Sequence, residues 1–184
     1  MEYQLAIKVT SQIRLVQPEL YLAEALYDKI KSNYQYLAIF LDFIQEDMTV
    51  EDERQYLSMM LEHQAQNKGR LYLIYYADEL IGTIDLHNIK MQHKKAEIGY
   101  WIDESYSGRQ ITTQCVNHLC YLAFEKFGLN KLTIKADTRN LPSNKVAEKT
   151  GFSFVGTELE DMFDGESYRD MNYYSLLKRD YNKK

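Results

Sequence analysis

Between Ala96 and Thr113 the chain reads AEIGYWIDESYSGRQITT. A strand pattern ends there, turns through Gly108 and opens directly into an amphipathic helix. The first amides of a helix have no partner within it, and the aligned peptide dipoles leave that end partly positive. Such a start attracts phosphate. One strand later comes a second segment, NLPSNKVAEKTGF at Asn140–Phe152. Together the two segments point to a pyrophosphate-bearing acyl carrier beside a small acid–base site.

Other reactive side chains carry less. Cys115 and Cys120 lie five positions apart in the helix after the turn, so they point in different directions. They read as buried free thiols of a reducing compartment. His63, His87, His93 and His118 are scattered, and no Cys/His spacing resembles a metal site.

The elements that would position this chemistry follow from periodicity. Ser11–Val16 alternates like a strand and stops at Pro18, and Glu19–Lys31 has helical spacing. Tyr34–Phe43 is apolar and aromatic, a second short helix. Thr49 is a plausible N-cap, with Glu51, Asp52 and Glu53 in a first turn that suits negative charge. That helix turns Tyr56, Leu57, Met60 and Leu61 inward and ends near Gly69.

Leu71–Ala77 and Leu80–Leu86 read as a hairpin around Asp78–Glu79. Ala96–Asp103 is the next strand, with Ala96, Ile98, Tyr100 and Ile102 on one face and Glu97, Gly99, Trp101 and Asp103 on the other. A helix over Arg109–Phe127 stops at Gly128. Lys131–Ala136 is a strand and Pro142–Thr150 a short helix. Phe152–Thr157 and Tyr168–Leu177 are the last strands, with a turn at Asp164–Gly165.

At 184 residues, with 45% hydrophobic and 27% charged, the chain fits one globular domain. Only 2 Pro and 8 Gly leave little room for a linker. No apolar run approaches the ~20 residues needed to cross a bilayer. The first residues lack a basic segment followed by an apolar one, so a cytoplasmic protein with no membrane partner is expected. A net charge of −5 argues against nucleic acid as a partner and modestly favours a cationic substrate group.

The element order and the two segments resemble the GNAT N-acetyltransferases, most closely the branch that acetylates ribosomal-protein N-termini (the RimJ/RimL type). The resemblance covers almost the whole chain, through LIYYADELIGTI, AEIGYWIDES, SGRQITTQ, NLPSNKVAEKTGF and DGESYRDMNYYSLL. It implies a single GNAT domain over 1–184, an α/β (α+β) fold whose mixed, mostly antiparallel, splayed sheet is flanked by helices. It implies acetyl-CoA as donor and no metal. The sheet would splay between Ala96–Asp103 and Lys131–Ala136. The pantetheine arm would pair with the backbone around Tyr100, Trp101 and Ile102, and the pyrophosphate would rest on the amides of Gly108, Arg109, Gln110, Ile111 and Thr112. Homodimers are common in that branch, and the aromatic Tyr34–Phe43 segment could supply an interface or simply fill the core.

The turn departs from its family. The usual pattern is Q/R–x–x–G–x–G/A, whereas this chain has Ser107–Gly108–Arg109–Gln110–Ile111–Thr112. Gln110 replaces the central glycine. It can keep a helical φ and still present its N–H, or it can crowd the phosphate.

Acetyl transfer to an amine needs a neutral amine, donors for the oxyanion and a proton for the leaving thiolate. The resemblance points to Glu97 as base, and the competing reading makes it a solvated carboxylate or a partner of Lys94 or Lys95. It points to Ser143 as acid, with capping of the helix behind Pro142 as the rival. Asn140 would hold the pantetheine arm or the local turn, or act purely as a cap. Tyr106, Tyr168 and Asp170 are weaker candidates for acceptor binding. With one carboxylate and no candidate histidine, the site suits an α-amine (pKa about 7.7–8.0) better than a lysine (about 10.4). A protein N-terminus is therefore the expected acceptor. Alternatives are a small amine, such as a polyamine or an amine antibiotic, and a degenerate domain that binds without catalysis.

Overall fold

The computed structural model describes residues 5–181. Eight strands form one mixed sheet in the order β1-β2-β3-β4-β5-β6-β8-β7. The fold has two compact units. One holds residues up to Asp85 together with Tyr100–Cys115, and the other holds Leu86–Gly99 and the residues from Val116 onward.

In the first unit β1 (Ala6–Lys8) pairs antiparallel with β2 (Ile13–Val16), and β2 with β3 (Arg70–Tyr76). The sequence reading missed β1, because three residues at an edge, none of them buried, are too short to show a strand pattern. Between β2 and β3 lie α1 (Ala23–Ser32), α2 (Tyr34–Leu37) and α3 (Val50–Ala65). The expected helix over Tyr34–Phe43 is thus a single turn. Thr49 caps α3 as expected: its hydroxyl accepts from the Asp52 amide, and the Asp52 carboxylate accepts from the Thr49 amide. Leu57 and Met60 are buried on α3, with Tyr56 packed beside them. The third buried position is Glu53, which the sequence reading took for first-turn charge suited to the helix dipole.

The hairpin continues into β4 (Glu79–Lys90), longer than expected, and then β5 (Lys95–Ile102). Burial along β5 falls on Ala96 and Ile98, then on Trp101. The expected even-numbered core face therefore changes phase before Trp101. A close approach explains why that part of β5 follows β4 and not simple alternation: a Cβ on Gly82 would meet the Trp101 carbonyl oxygen at 2.2 Å and Ile102 Cα at 2.8 Å.

In the second unit β5 runs parallel to β6 (Lys131–Asp137), but only over Lys95–Glu97 against Lys131–Thr133. The ladder between these two strands stops at Glu97 and Thr133. β8 (Tyr168–Leu177) pairs antiparallel with all of β6 and with β7 (Ser153–Phe163). α4 (Ile111–Tyr121) starts two residues later than expected and ends in a π-helical turn, Leu122–Lys126, before Gly128 at φ 69°. α5 (Leu141–Lys149) precedes β7, and α6 (Lys178–Tyr181) follows β8. Cys115 and Cys120 are buried and not joined in a disulfide, as expected. Among the described residues, no helix is long and apolar enough to cross a membrane.

Candidate active site

The glycine turn is held by a chain of charged contacts within the first unit. Asp103 caps the 3-10 turn Glu104–Tyr106, accepting from the Ser105 amide at 2.9 Å and its hydroxyl at 2.6 Å. Lys29 reaches from α1 to Asp103 and to Glu79, 2.9 Å from each. Glu79 also accepts the Tyr106 hydroxyl at 2.7 Å. Arg109 lies 4.9 Å over the Tyr106 ring and donates to the Ser105 carbonyl. Burial alone would raise the Asp103 pKa, but its hydrogen bonds from Ser105 and Lys29 outweigh it and hold the carboxyl down at about 2. So Tyr106 braces the turn.

Beyond this brace the backbone takes two left-handed steps, Gly108 at φ 77° and Gln110 at φ 61°. The expectation that Gln110 could keep a helical φ is therefore wrong. Its carbonyl opens the helix, accepting the Gln114 amide at 3.1 Å. The family's central glycine is explained by the same φ, which only glycine adopts freely. A Cβ at Gly108 would meet nothing within 4 Å, so the outer face of the turn is open. Alternating left- and right-handed residues followed by a helix start turn consecutive amides to one side, the geometry that seats a phosphate.

In the second unit Glu97 is half-buried on β5. Its Oε2 lies 3.6 Å from Nε2 of His87, and its Oε1 accepts from Asn88 at 3.2 Å. Asn88 holds φ 49° within β4, a conformation asparagine tolerates better than most. Contact with His87 lowers the Glu97 pKa, burial opposes this, and Asn88 and Lys135 add to the lowering. The expected partners Lys94 and Lys95 are not the ones that hold it, and the expectation of no candidate histidine fails at His87.

Asn140 caps α5, its Oδ1 accepting from the Ser143 amide at 3.1 Å. Ser143 is half-buried in the first turn, behind Pro142. Asn144, which the sequence reading did not single out, is buried and fully engaged. It donates to the carbonyls of Asp137 and Asn140 and accepts from Asn172 and the Tyr174 hydroxyl. Nearby, Asp161 accepts from the Tyr173 hydroxyl at 2.9 Å and lies 3.8 Å from Lys135. Tyr168 is exposed, and Asp170 accepts the Glu160 amide across a β7 irregularity.

Residues 12–153 match the model of the acetyltransferase (GNAT) domain. The chain belongs to the GNAT acetyltransferase family. It is 34% identical over 170 residues to the putative ribosomal N-acetyltransferase YdaF of Bacillus subtilis, covering 92% of each chain. It is 31% identical over 171 residues to the ribosomal-protein-serine acetyltransferase of Escherichia coli, covering 93% of this chain and 96% of that one. The solved structure of RimL, a ribosomal L7/L12 alpha-N-protein acetyltransferase in complex with coenzyme A, superposes with a TM-score of 0.90 at 25% identity, covering 94% and 98%.

As a GNAT enzyme the protein is an acetyl-CoA-dependent N-acetyltransferase. Its own residues fit the donor: an open turn with two left-handed steps, and a β5 end clamped to β4 by Gly82 and by the Asp103 amide on the Ile81 carbonyl. Burial pushes the Cys115 thiol up to about 12, which keeps it protonated at neutral pH. The missed residues left faint signals. His87 and Glu97 lie on different strands, and only register joins them. Asn144 stands beside Ser143 in a segment read for its serine.

Proposed function

We propose that this enzyme acetylates the α-amine of a protein N-terminus, that of a ribosomal protein, by direct transfer in a ternary complex. The observation that carries this reading is 31% identity across nine-tenths of the chain to a ribosomal-protein-serine acetyltransferase. The amides from Gly108 to Thr112 seat the pyrophosphate, and the backbone of Tyr100, Trp101 and Ile102 pairs with the pantetheine arm. Asn140 fixes the α5 start that presents Ser143.

In the transfer the amine nitrogen attacks the thioester carbonyl, a C–N bond forms and the C–S bond breaks. Glu97, ionised at neutral pH, accepts the amine proton directly or through water, with His87 beside it to share that charge. Ser143 donates its hydroxyl proton to the departing thiolate and regains one from solvent. An α-amine costs only about 0.5 kcal/mol to deprotonate at pH ~7.5, against about 4 kcal/mol for lysine. That difference suits a carboxylate whose own pKa is held low.

The same proposal includes a single catalytic domain, a cytoplasmic location and a homodimer to which exposed Phe43 contributes. Sedimentation checks the last. The test of function is mass spectrometry of peptides matching ribosomal N-termini, with spermidine as comparison. Turnover of spermidine alone would replace this reading by a small-amine acetyltransferase.

A further inference from the structure

Strand β7 ends the sheet: β8 pairs with one side of it, and its other side has no strand partner among the described residues. Midway it bulges. Glu158 lies opposite Met171 and Met162 opposite Arg169, so Leu159, Glu160 and Asp161 face Asp170 alone. Glu160 holds φ 55° there, a left-handed conformation that costs an L residue energy. The bulge is nevertheless firmly held. Asp170 accepts the Glu160 amide at 2.9 Å, the Tyr173 hydroxyl donates to Asp161 at 2.9 Å, and Lys135 lies 3.8 Å from Asp161. Bulges re-aim side chains, and this one leaves Leu159 74% exposed.

Phe154, Val155, Phe163 and Tyr168 are exposed along the same hairpin. Bulges and charges commonly guard an open edge against pairing. Guarding needs no apolar side chains on the outside, and these, with Leu159, mark a docking surface. Its charge says for what. From Ser153 to Glu166 the chain carries Glu158, Glu160, Asp161, Asp164 and Glu166, and no lysine or arginine. Asp161 is engaged within the bulge, and Asp164 by the turn amides and Arg169. Glu158, Glu160 and Glu166 are exposed. A second copy in a two-fold contact would set these acids against themselves. A polypeptide bearing lysine or arginine complements them.

We infer that the β7 edge docks a basic, extended stretch of the acceptor protein, behind the N-terminus that reacts. The inference rests on the N-terminal acetyltransferase reading and deepens it. Register within the second unit gives the reach. Glu97 lies opposite Thr133, Thr133 opposite Ser175, and Ser175 opposite Ser153. With β6 and β8 between, β7 is about 14 Å from Glu97 across the sheet, and Glu158 lies a further ~13 Å along it. That diagonal of about 20 Å is spanned by about six residues of extended chain. Lysine or arginine from about the sixth residue onward meets Glu158 and Glu160, and an apolar neighbour covers Leu159.

The test uses peptides that share their first four residues, beginning with serine. One stops there, one continues with alternating lysine and valine, and one with alternating glutamate and valine. At low salt the wild-type enzyme should turn over the lysine peptide with kcat/KM about tenfold above the four-residue peptide, the scale of one or two surface ion pairs and a covered apolar side chain. The glutamate peptide should show no gain, and the gain for lysine should shrink as salt rises. Leu159→Ser should reduce the gain, and so should Glu158→Gln combined with Glu160→Gln. The four-residue peptide is too short to reach β7, so its unchanged kcat/KM in these variants reports an intact enzyme.

No gain for the lysine peptide, or a gain that survives both variants, overturns the inference. So does self-association that Leu159→Ser abolishes in sedimentation, which would make this edge a contact between copies. Fluorescence anisotropy of the lysine peptide with its N-terminus already acetylated separates this from failure of the proposed function. If no peptide is acetylated but both variants weaken that binding, the function falls and the docking edge stands. Absence of that binding in the wild type overturns the inference.

Discussion

Glu97 and His87 face each other across two strands, Oε2 to Nε2, at 3.6 Å. The pair gives the half-buried carboxylate a partner that can itself take up charge. His87 is also the first cause of the lowered Glu97 pKa.

Glu97→Gln should lower kcat by roughly 10²–10⁴, the range for losing a positioned base, with coenzyme A affinity unchanged. His87→Ala removes the main stabiliser of the Glu97 carboxylate and leaves burial opposed only by Asn88 and Lys135. The acidic limb of kcat/KM should then move to higher pH. Steady-state kinetics across pH reads both effects, and wild-type turnover in Glu97→Gln would remove Glu97 from the mechanism.

Gln110 carries a left-handed φ of 61° without being glycine. Gln110→Gly should stabilise the fold by up to about 1 kcal/mol, since the strain of the L side chain disappears. Gln110→Ala keeps a Cβ in the same conformation and should gain little. Thermal melts distinguish the two, and coenzyme A titration shows whether relieving the turn tightens donor binding.

Two glycines should fail for different reasons. At Gly82 an added methyl meets backbone at 2.2 Å, so Gly82→Ala must push β5 off β4. A cost of about 1–3 kcal/mol is expected, with loss of coenzyme A binding as Trp101 and Ile102 shift. Gly108 has open space but φ 77°, so Gly108→Ala should cost about 1 kcal/mol or a little more from backbone strain alone. Paired melts and titrations test the contrast.

Asp103 sets an acid limit on stability. Its carboxyl moves from an ordinary 3.8 down to about 2 on folding. A depressed acid contributes stability above its unfolded pKa and loses it as pH falls through the folded one. About 2 kcal/mol should therefore be present at pH 7 and disappear between roughly pH 4 and pH 2. Asp103→Asn should narrow its stability gap from wild type across that window in denaturant titrations.

Most of the order of elements, the glycine turn and the start of α5 were legible because periodicity, turn residues and caps are local properties. Thr49 declared its capping box through side chains three residues apart, and the α5 start declared itself through Asn140 and Pro142. Other features were not legible. The Trp101 phase change depends on how closely β4 approaches at Gly82, which no pattern within β5 records. The His87 partner of Glu97 depends on strand register. Glu53 looked like first-turn charge, and only the packing of α3 shows that it faces inward.

Asn144 has one further consequence. Its amide nitrogen is tied to two carbonyls and its oxygen to two donors, so the group cannot rotate towards the following backbone nitrogen. Cyclisation to a succinimide, the chemical ageing of exposed asparagines, needs that rotation. The side chain joining β6, α5 and β8 is thus protected by its own bonds. Were it converted to aspartate, a new negative charge would sit against two carbonyl oxygens and lift the start of α5, with Ser143, off the sheet.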